Sequence, residues 1–276
     1  MEQFNTLIEK QYHSPGLYEG ILSRLKEQKV NLKHVSRSHI AGVDEFHVRG
    51  AEVSKELAQE IDLTNATVLD IGCGIGGPSR MLADEYDCSV TGIDICPDYI
   101  RTAQKLSELV GFNGSTKFIE ADALNLPFED GSFDVVWTQH VQMNVRDKTR
   151  FYSEINRVLS DRGTFIYYDI FKTNGQDVNY PVPWANDPSI SFLGSIPAFY
   201  DILSELGLTR VITTNQTAKA TQFLVDLFNK VKKSGPPKMG LNVLMGNTTG
   251  EKLGNILLGL KENKIVLQSG IYIKNL

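Results

Sequence analysis

Short apolar runs alternate with amphipathic segments through the middle of the chain. Five of these runs are rich in β-branched and aliphatic residues, as buried parallel strands are, and they lie at 67–71, 89–93, 116–120, 133–138 and 164–171. Between them, apolar residues recur at helical spacing, which predicts helices over 78–86, 97–109 and 146–159. Alternating strands and helices predict an α/β fold with a parallel sheet and a ligand site at the carboxyl ends of its strands.

Ahead of this region, the pattern predicts helices over 15–28 and 51–61, with a polar connector at 31–41 between them. We interpret residues 1–60 as a helical lid over a bound ligand, and the alternative is a plain packing extension. The remaining residues, 61–276, are predicted to form the main domain.

Behind the alternating region, the pattern predicts helices over 196–206, 217–232 and 250–262, and strands over 210–215 and 265–274. The connection at about 172–195 is rich in Pro, Asn and Asp. It is predicted to be a substrate loop, because loops of this length in compact domains are usually functional or mobile. Segment 234–249 is either another loop over the substrate or a connector.

The first predicted strand runs directly into a glycine cluster. Gly72, Gly74 and Gly77 satisfy the dinucleotide-binding pattern G-x-G-x-x-G, while Gly72, Gly74 and Gly76 satisfy the pattern G-x-G-x-G of enzymes that use S-adenosylmethionine (SAM). Asp70 favours the second pattern, because a carboxylate beside the loop would repel a pyrophosphate and attract a cationic amino group.

Three further motifs follow in order: Asp94 after the second strand, Asp122-Ala123 after the third, and Phe133-Asp134 at the start of the fourth. With Asp70 and the glycines, they make residues 63–206 resemble the class I SAM-dependent methyltransferases. The resemblance implies a Rossmann-like seven-stranded sheet that is mostly parallel, with its last strand antiparallel and inserted between the fifth and sixth. It also implies that SAM is the methyl donor and S-adenosyl-L-homocysteine the product.

The same resemblance implies roles for the acids at the strand ends. Asp70 would reach the amino group of SAM, Asp94 the ribose hydroxyls and Asp122 the adenine amino group; the alternative is that these acids are solvated caps. The other cofactor-binding residues that it implies are Gly50, Gly72, Gly74, Gly76, Ile95, Ala123 and Gln139.

Two catalytic candidates stand at opposite ends of this region. His140 lies just beyond the fourth strand, and imidazole can take a proton near neutral pH. The amino terminus around Tyr12 and Tyr18 resembles that of the phosphoethanolamine methyltransferases, in which a lid tyrosine works with a histidine. Here Asn144 occupies that histidine position, which argues against phosphoethanolamine as the substrate, and Tyr12 is either a lid anchor or a proton acceptor.

The order of elements after the fifth strand resembles the sarcosine/dimethylglycine N-methyltransferases. Trp184 is predicted either to form a wall of a substrate pocket for a methylated ammonium group or to pin the loop to the domain. Arg49 and Arg146 are candidates for binding a carboxylate. Tyr18 and Asn144 complete the predicted substrate residues.

These features predict methyl transfer from SAM to a small amine, an N-methylated glycine. The alternatives are an O- or C-methyltransferase of a small natural product and a non-catalytic SAM-binding sensor. A discriminating feature is His140, which should be a true base in the O- or C-methyltransferase.

Composition and charge limit the classes of molecule that this chain is predicted to bind. The net charge of −5 disfavours binding to nucleic acid, and neither an apolar run of about 18 residues nor a leader pattern is present, so no membrane association is predicted. Cys73, Cys88 and Cys96 lack metal-ligand spacing, which predicts reduced thiols in a cytoplasmic protein and no metal site. A small-molecule substrate is the predicted partner, and the chain is predicted to be a monomer or a homodimer.

Overall fold

The predicted alternation of strands and helices is present in the computed structural model, which describes residues 2–173 and 176–275. The strands are β1 (Thr67–Ile71), β2 (Ser89–Asp94), β3 (Thr116–Glu120), β4 (Phe133–Gln139), β5 (Leu159–Lys172), β6 (Leu208–Asn215) and β7 (Ile265–Lys274). They form one sheet in the order β3-β2-β1-β4-β5-β7-β6. The parallel pairs are β1 with β2, β1 with β4, β2 with β3 and β4 with β5, and β7 runs antiparallel between β5 and β6, as predicted.

The helices surround this sheet. They are α1 (Glu2–Tyr12), α2 (Leu17–Glu27), α3 (Arg37–Asp44), α4 (Ala51–Ala58), α5 (Gly77–Tyr86), α6 (Pro97–Val110), α7 (Lys148–Val158), α8 (Ile196–Glu205), α9 (Thr217–Ser234), α10 (Asn242–Met245) and α11 (Thr249–Lys261). Among the described residues, none of these helices is both long and apolar enough to cross a membrane.

Both faces of the sheet are buried. Along β1, Val68 packs into one apolar core and Leu69 into another, and along β4 Trp137 and Val136 divide in the same way. Successive side chains of a strand point to opposite faces, so a strand covered on both sides must be apolar at nearly every position. This explains the continuous apolar runs of the sequence.

The amino-terminal region differs from its prediction. Residues 37–41 of the predicted polar connector belong to α3, which runs on to Asp44, begins with a capping box between Ser36 and His39 and buries Ile40 and Val43. Two apolar positions are too few to give a clear helical period. The feature of the sequence that could have indicated this helix is the capping box at its start. Met1, Leu276 and positions 174 and 175 of the predicted substrate loop lie outside the described residues.

A close backbone contact holds the end of α3 against the glycine loop. A Cβ atom placed on Gly77 would lie 1.9 Å from the carbonyl oxygen of Asp44. Only glycine allows this approach. It places residues 44–48 beside the carboxyl end of β1, and the buried Arg80 reinforces it by pairing with the Asp44 carboxylate.

Candidate active site

A cavity of about 780 Å³ lies at the carboxyl ends of the parallel strands. The predicted residues that line it are Tyr12, Asp70, Gly72, Gly74, Asp94, Ile95, Asp122, Ala123, Gln139, His140, Asn144, Arg146 and Trp184. The topology brings together residues from both halves of the chain because the carboxyl ends of parallel strands meet at one edge of the sheet.

The glycines of the loop after β1 have different structural roles. Gly74 has a φ of +54°, and a Cβ there would meet nothing within 4 Å, so its backbone is open to the cavity. Gly72 has a φ of +70°, and a Cβ there would lie 2.5 Å from the Val141 side chain. A Cβ on Gly76 would lie 2.6 Å from the Phe118 ring, so this glycine serves packing and lies outside the cavity lining.

Asp94 closes the loop from the end of β2. Its carboxylate accepts hydrogen bonds from the backbone N–H of Gly74 at 3.0 Å and of Cys96 at 2.9 Å. Burial raises the pKa of Asp94 to about 6, although the backbone N–H groups act in the opposite direction. Each carboxylate oxygen can accept a further hydrogen bond from a ligand.

Asp70 lies deeper, at the end of β1. It accepts a hydrogen bond from the Ser79 hydroxyl at 2.6 Å, and burial raises its pKa to about 7. Within the described part of the chain, neither Asp70 nor Asp94 has a Lys or Arg nitrogen at ion-pair distance. The two carboxylates therefore favour a ligand that carries a positive charge and hydroxyl groups.

Asp122 follows β3 on the same wall. It accepts hydrogen bonds from the Leu124 backbone N–H and from the side-chain amide of Asn5, each at 2.8 Å. Asn5 belongs to α1, so the first helix of the chain covers this part of the cavity. The sequence reasoning missed Asn5, since its partner lies 117 positions away.

Tyr12 and Asn144 join the end of α1 to the turn after β4. The Tyr12 hydroxyl donates to Asn144 Oδ1 at 2.8 Å, and Asn144 Nδ2 donates to the backbone carbonyls of Trp184 and Ile190. Burial, Asp94 and Cys96 raise the pKa of Tyr12, so its phenol stays protonated. Because an amide cannot take up a proton, this pair acts as a latch between α1 and the loop after β5.

His140 lies on the cavity wall, as predicted, but both of its ring nitrogens are engaged. The Val48 backbone N–H donates to Nε2 at 3.2 Å, and Nδ1 lies 3.2 Å from the Tyr168 carbonyl oxygen. Burial, and secondarily the nearby His47, lowers the pKa of His140 to about 3. The ring is therefore neutral, and its lone pair is occupied.

A second histidine on the cavity wall, His47, escaped the sequence analysis. Its Nε2 lies 3.0 Å from the Gly50 carbonyl oxygen and 3.1 Å from Glu45 Oε2. The Ser54 hydroxyl donates to the same Glu45 oxygen at 2.6 Å and lies 3.2 Å from the amide oxygen of Gln139. The run Glu45-Phe46-His47 ahead of the glycine loop was the available signal, because it places an acid two residues from a histidine.

Besides Gly76, three predicted site residues do not line the cavity. Gly50 caps α4, and Tyr18 lies under the ammonium group of Lys105 on another surface. Arg49 is buried and forms two hydrogen bonds with Glu56, of 2.7 and 3.0 Å, and one with Gln216. Arg146 does line the cavity, and its guanidinium lies 4.7 Å from the ring centre of Phe4.

A group of apolar side chains also lines the cavity. Helix α1 and the loop after β5 supply Phe4, Ile8, Pro183, Trp184 and Phe192, and the carboxyl-terminal helices α9 and α11 supply Phe223, Leu224, Leu227, Leu253 and Ile256. The Trp184 indole donates to Ser191 at 2.9 Å. We call the part of the cavity that these side chains line the apolar chamber.

Comparison with known proteins agrees with the geometry. Residues 69–167 match the model of a family described as a methyltransferase domain. The 2-methyl-6-phytyl-1,4-hydroquinone methyltransferase of Synechocystis sp. is 45% identical over 37% of this chain and 31% of that protein. The glycine/sarcosine/dimethylglycine N-methyltransferase of Actinopolyspora halophila is 27% identical over 63% of this chain and 33% of that protein. The chain thus spans about a third of the length of these relatives.

A solved structure matches nearly the whole chain. Geranyl diphosphate C-methyltransferase from Streptomyces coelicolor A3(2) superposes with a TM-score of 0.71 over 98% of both chains, at 13% sequence identity. This likeness confirms the predicted fold, and the family match confirms the resemblance that the four motifs indicated.

Proposed function

We propose that this chain, whose residues 69–167 match a methyltransferase domain, is a SAM-dependent methyltransferase that acts on a small molecule. The observation that carries the proposal is the wall formed by Asp70, Asp94 and Asp122 beside the open backbone of Gly74. A phosphate-bearing ligand would be repelled by three acids, whereas a ligand with a cationic amino group, a ribose diol and an adenine would satisfy each of them.

The residues present fit SAM in their chemistry. Asp70 would hold the amino group, Asp94 the ribose hydroxyls, and Asp122 with Ala123 and Ile95 the adenine. When bound, SAM supplies an activated methyl group on a sulfonium. The protein contributes position, orientation and exclusion of water.

We further propose that residues 1–60 are the lid of this site. Asn5 contacts Asp122, Tyr12 is hydrogen-bonded to Asn144, and Val48 contacts His140, so the region touches the carboxyl ends of β3 and β4. The cytoplasmic location and the choice between monomer and homodimer stay predictions.

The apolar chamber supports an acceptor that is largely apolar and uncharged. Two of the cations that could bind a carboxylate are engaged, Arg49 by Glu56 and Lys148 by backbone carbonyls including that of Phe192 at 2.7 Å. Arg146 lies over the ring of Phe4 and has no ion-pair partner among the described residues, so it is the cation that a substrate carboxylate could meet. Burial lowers the pKa of Lys148 to about 7. The O- or C-methylation of a small natural product therefore takes precedence over the N-methylated glycine. The latter remains the second candidate because a relative is named for that activity.

Label transfer from methyl-labelled SAM tests both candidate functions, methylation of an apolar natural product and methylation of a glycine derivative. We expect a labelled product from a prenylated hydroquinone or from the apolar fraction of a cell extract, and none from glycine, sarcosine, dimethylglycine or phosphoethanolamine. A labelled glycine derivative would establish the second candidate. Tight binding of S-adenosylhomocysteine without turnover on any compound would establish a sensor.

A charge placed in the apolar chamber distinguishes the two acceptor classes directly. Leu227→Glu should raise the KM of the hydroquinone at least about tenfold, because an unpaired carboxylate disfavours an apolar ligand. The matched change Leu258→Glu lies on the exposed side of α11 and should leave KM as it is. Equal KM values in both variants would contradict an acceptor in this chamber.

The affinity for S-adenosylhomocysteine should fall as the pH falls from about 8 to about 5. In the free protein the pKa is about 7 for Asp70 and about 6 for Asp94, and the ligand binds the carboxylate forms. Below each pKa a proton must be released on binding, which costs up to about tenfold in affinity per pH unit. Calorimetric titrations across this range measure the slope. Asp70→Asn should remove the part that begins near pH 7, and an unchanged slope in that variant would contradict the assignment of Asp70.

A further inference from the structure

We infer that Glu45 and His47 form the proton-accepting pair of the active site, with His47 as the catalytic base and Glu45 as the residue that positions it. This inference rests on the proposed methyltransferase function. It assigns the base to a different histidine from the one that the sequence favoured.

The hydrogen bonds determine which nitrogen of His47 can act. Nε2 lies within 3.1 Å of two oxygens that can only accept, the Gly50 carbonyl oxygen and the Glu45 carboxylate, so Nε2 carries the ring proton. Nδ1 has no hydrogen-bond partner among residues 2–173 and 176–275. His47 is one of the residues that line the cavity, and we place its free lone pair on the cavity side.

Glu45 is suited to stabilise a protonated His47. The carboxylate is 5% exposed and accepts from both His47 and Ser54. Burial disfavours its charged form, but these hydrogen bonds outweigh that effect and hold the pKa of Glu45 below its usual value. A charged carboxylate next to Nε2 favours the imidazolium that forms when Nδ1 takes a proton.

Gln139 and His140 lie beside the pair. Gln139 Nε2 lies 3.3 Å from His47 Nε2, farther than either of the two oxygens, and makes no hydrogen bond to a protonated Nε2; the Gln139 amide oxygen accepts from the Trp137 indole at 2.9 Å. His140 cannot replace His47, because its lone pair already accepts from Val48.

The proposed step couples a proton transfer to the methyl transfer. His47 Nδ1 takes the proton of the acceptor hydroxyl while the hydroxyl oxygen forms a bond to the methyl carbon and the bond between that carbon and sulfur breaks. The products are a methyl ether, neutral S-adenosylhomocysteine and an imidazolium paired with Glu45.

The first test compares three glutamine variants on a prenylated hydroquinone. His47→Gln keeps an amide N–H near the position of Nε2 but removes the base, so kcat should fall about 10²- to 10⁴-fold while the affinity for S-adenosylhomocysteine is retained. His140→Gln should lose less than about tenfold, and the exposed His34→Gln should match the wild type. A larger loss in His140→Gln than in His47→Gln would overturn the inference.

Glu45→Gln tests the positioning role. Its amide oxygen can still accept from Ser54, so kcat should fall while KM and the thermal midpoint stay near those of the wild type. A rise in KM together with a fall in kcat and in the thermal midpoint would indicate a structural role only, and would contradict the proposed pair.

The second test needs no turnover. In ¹⁵N-histidine NMR of the wild-type protein with S-adenosylhomocysteine, His47, identified by its absence in His47→Gln, should show a protonated Nε2 and an unprotonated Nδ1. A neutral ring with its proton on Nδ1 would overturn the inference. If the wild type transfers no methyl to any acceptor, the proposed function fails, and this measurement still decides the state of the pair.

Discussion

Asp94→Ala should weaken the binding of S-adenosylhomocysteine by about 10²- to 10⁴-fold. The carboxylate is the group that we assign to the two ribose hydroxyls, and a hydrogen bond to a charged group contributes about 1.5–3 kcal/mol. Two such bonds amount to about 3–6 kcal/mol, and each 1.4 kcal/mol corresponds to about tenfold in affinity. Isothermal titration calorimetry measures the change.

The control for this variant is another acid of the same sheet. Asp134→Ala removes a carboxylate at the start of β4, where it accepts from Thr67, at the edge of the sheet opposite the cavity. It should leave the affinity unchanged. The affinity of Asp94→Asn for S-adenosylhomocysteine should lie between those of Asp94→Ala and Asp134→Ala, because its amide can accept only one of the hydroxyl hydrogen bonds in place of two. An affinity for Asp94→Ala within about threefold of the wild type would remove Asp94 from the ligand site.

Arg80→Met should lower the free energy of unfolding by about 3–5 kcal/mol, the typical cost of removing one partner from a buried ion pair. Arg80 is fully buried. It pairs with Asp44 and donates to the Ile75 carbonyl at 2.6 Å, the Ala103 carbonyl at 3.3 Å and the Ser107 hydroxyl at 3.1 Å. Without it, the Asp44 carboxylate is left in a site where burial already raises its pKa.

Chemical denaturation of matched variants measures this effect. Lys105→Met breaks an exposed pair with Glu19 at 3.0 Å and should leave the unfolding midpoint almost unchanged, because water screens that pair. The double variant Arg80→Met/Asp44→Asn should recover part of the loss, since the uncompensated charge is gone. If Arg80→Met costs no more than Lys105→Met, the pair contributes little to stability.

This result also bears on the proposed base. Asp44 directly precedes Glu45, and its backbone rests on Gly77 at the start of α5. The Arg80 pair therefore holds the segment that carries Glu45 and His47 against the glycine loop. We expect residual folded Arg80→Met to bind S-adenosylhomocysteine more weakly than the wild type.

The sequence reasoning was most successful for features that short stretches of chain determine. The apolar runs predicted the strand ends to within two residues, because a strand covered on both faces needs apolar side chains wherever it lies. The exception is β5, which begins at Leu159, five residues before the predicted start, because its first residues are largely polar. Asp70, Asp94 and Asp122 were predicted on the cavity because each lies at or just beyond the carboxyl end of a parallel strand, and the ends of such strands meet at one edge.

It was least successful for roles that depend on distant partners. His140 looked like a free base, but its Nε2 accepts from Val48, 92 positions away. Arg49 looked like a free cation, yet Glu56, seven positions further along the chain, and Gln216 already bind it. For Arg49, the acidic residues of α4 were visible in the sequence and could have indicated that this arginine would be paired.

By itself, then, the sequence determined the sheet, the glycine turn and the acids at its rim, since backbone conformation and side-chain period are local properties of a chain. Only the tertiary structure decided which histidine has a free lone pair, which arginine is already paired and which apolar side chains line the cavity. Those properties belong to contacts between segments far apart in the chain. The chemistry of a side chain depends on what occupies its hydrogen-bonding positions, and folding alone sets that.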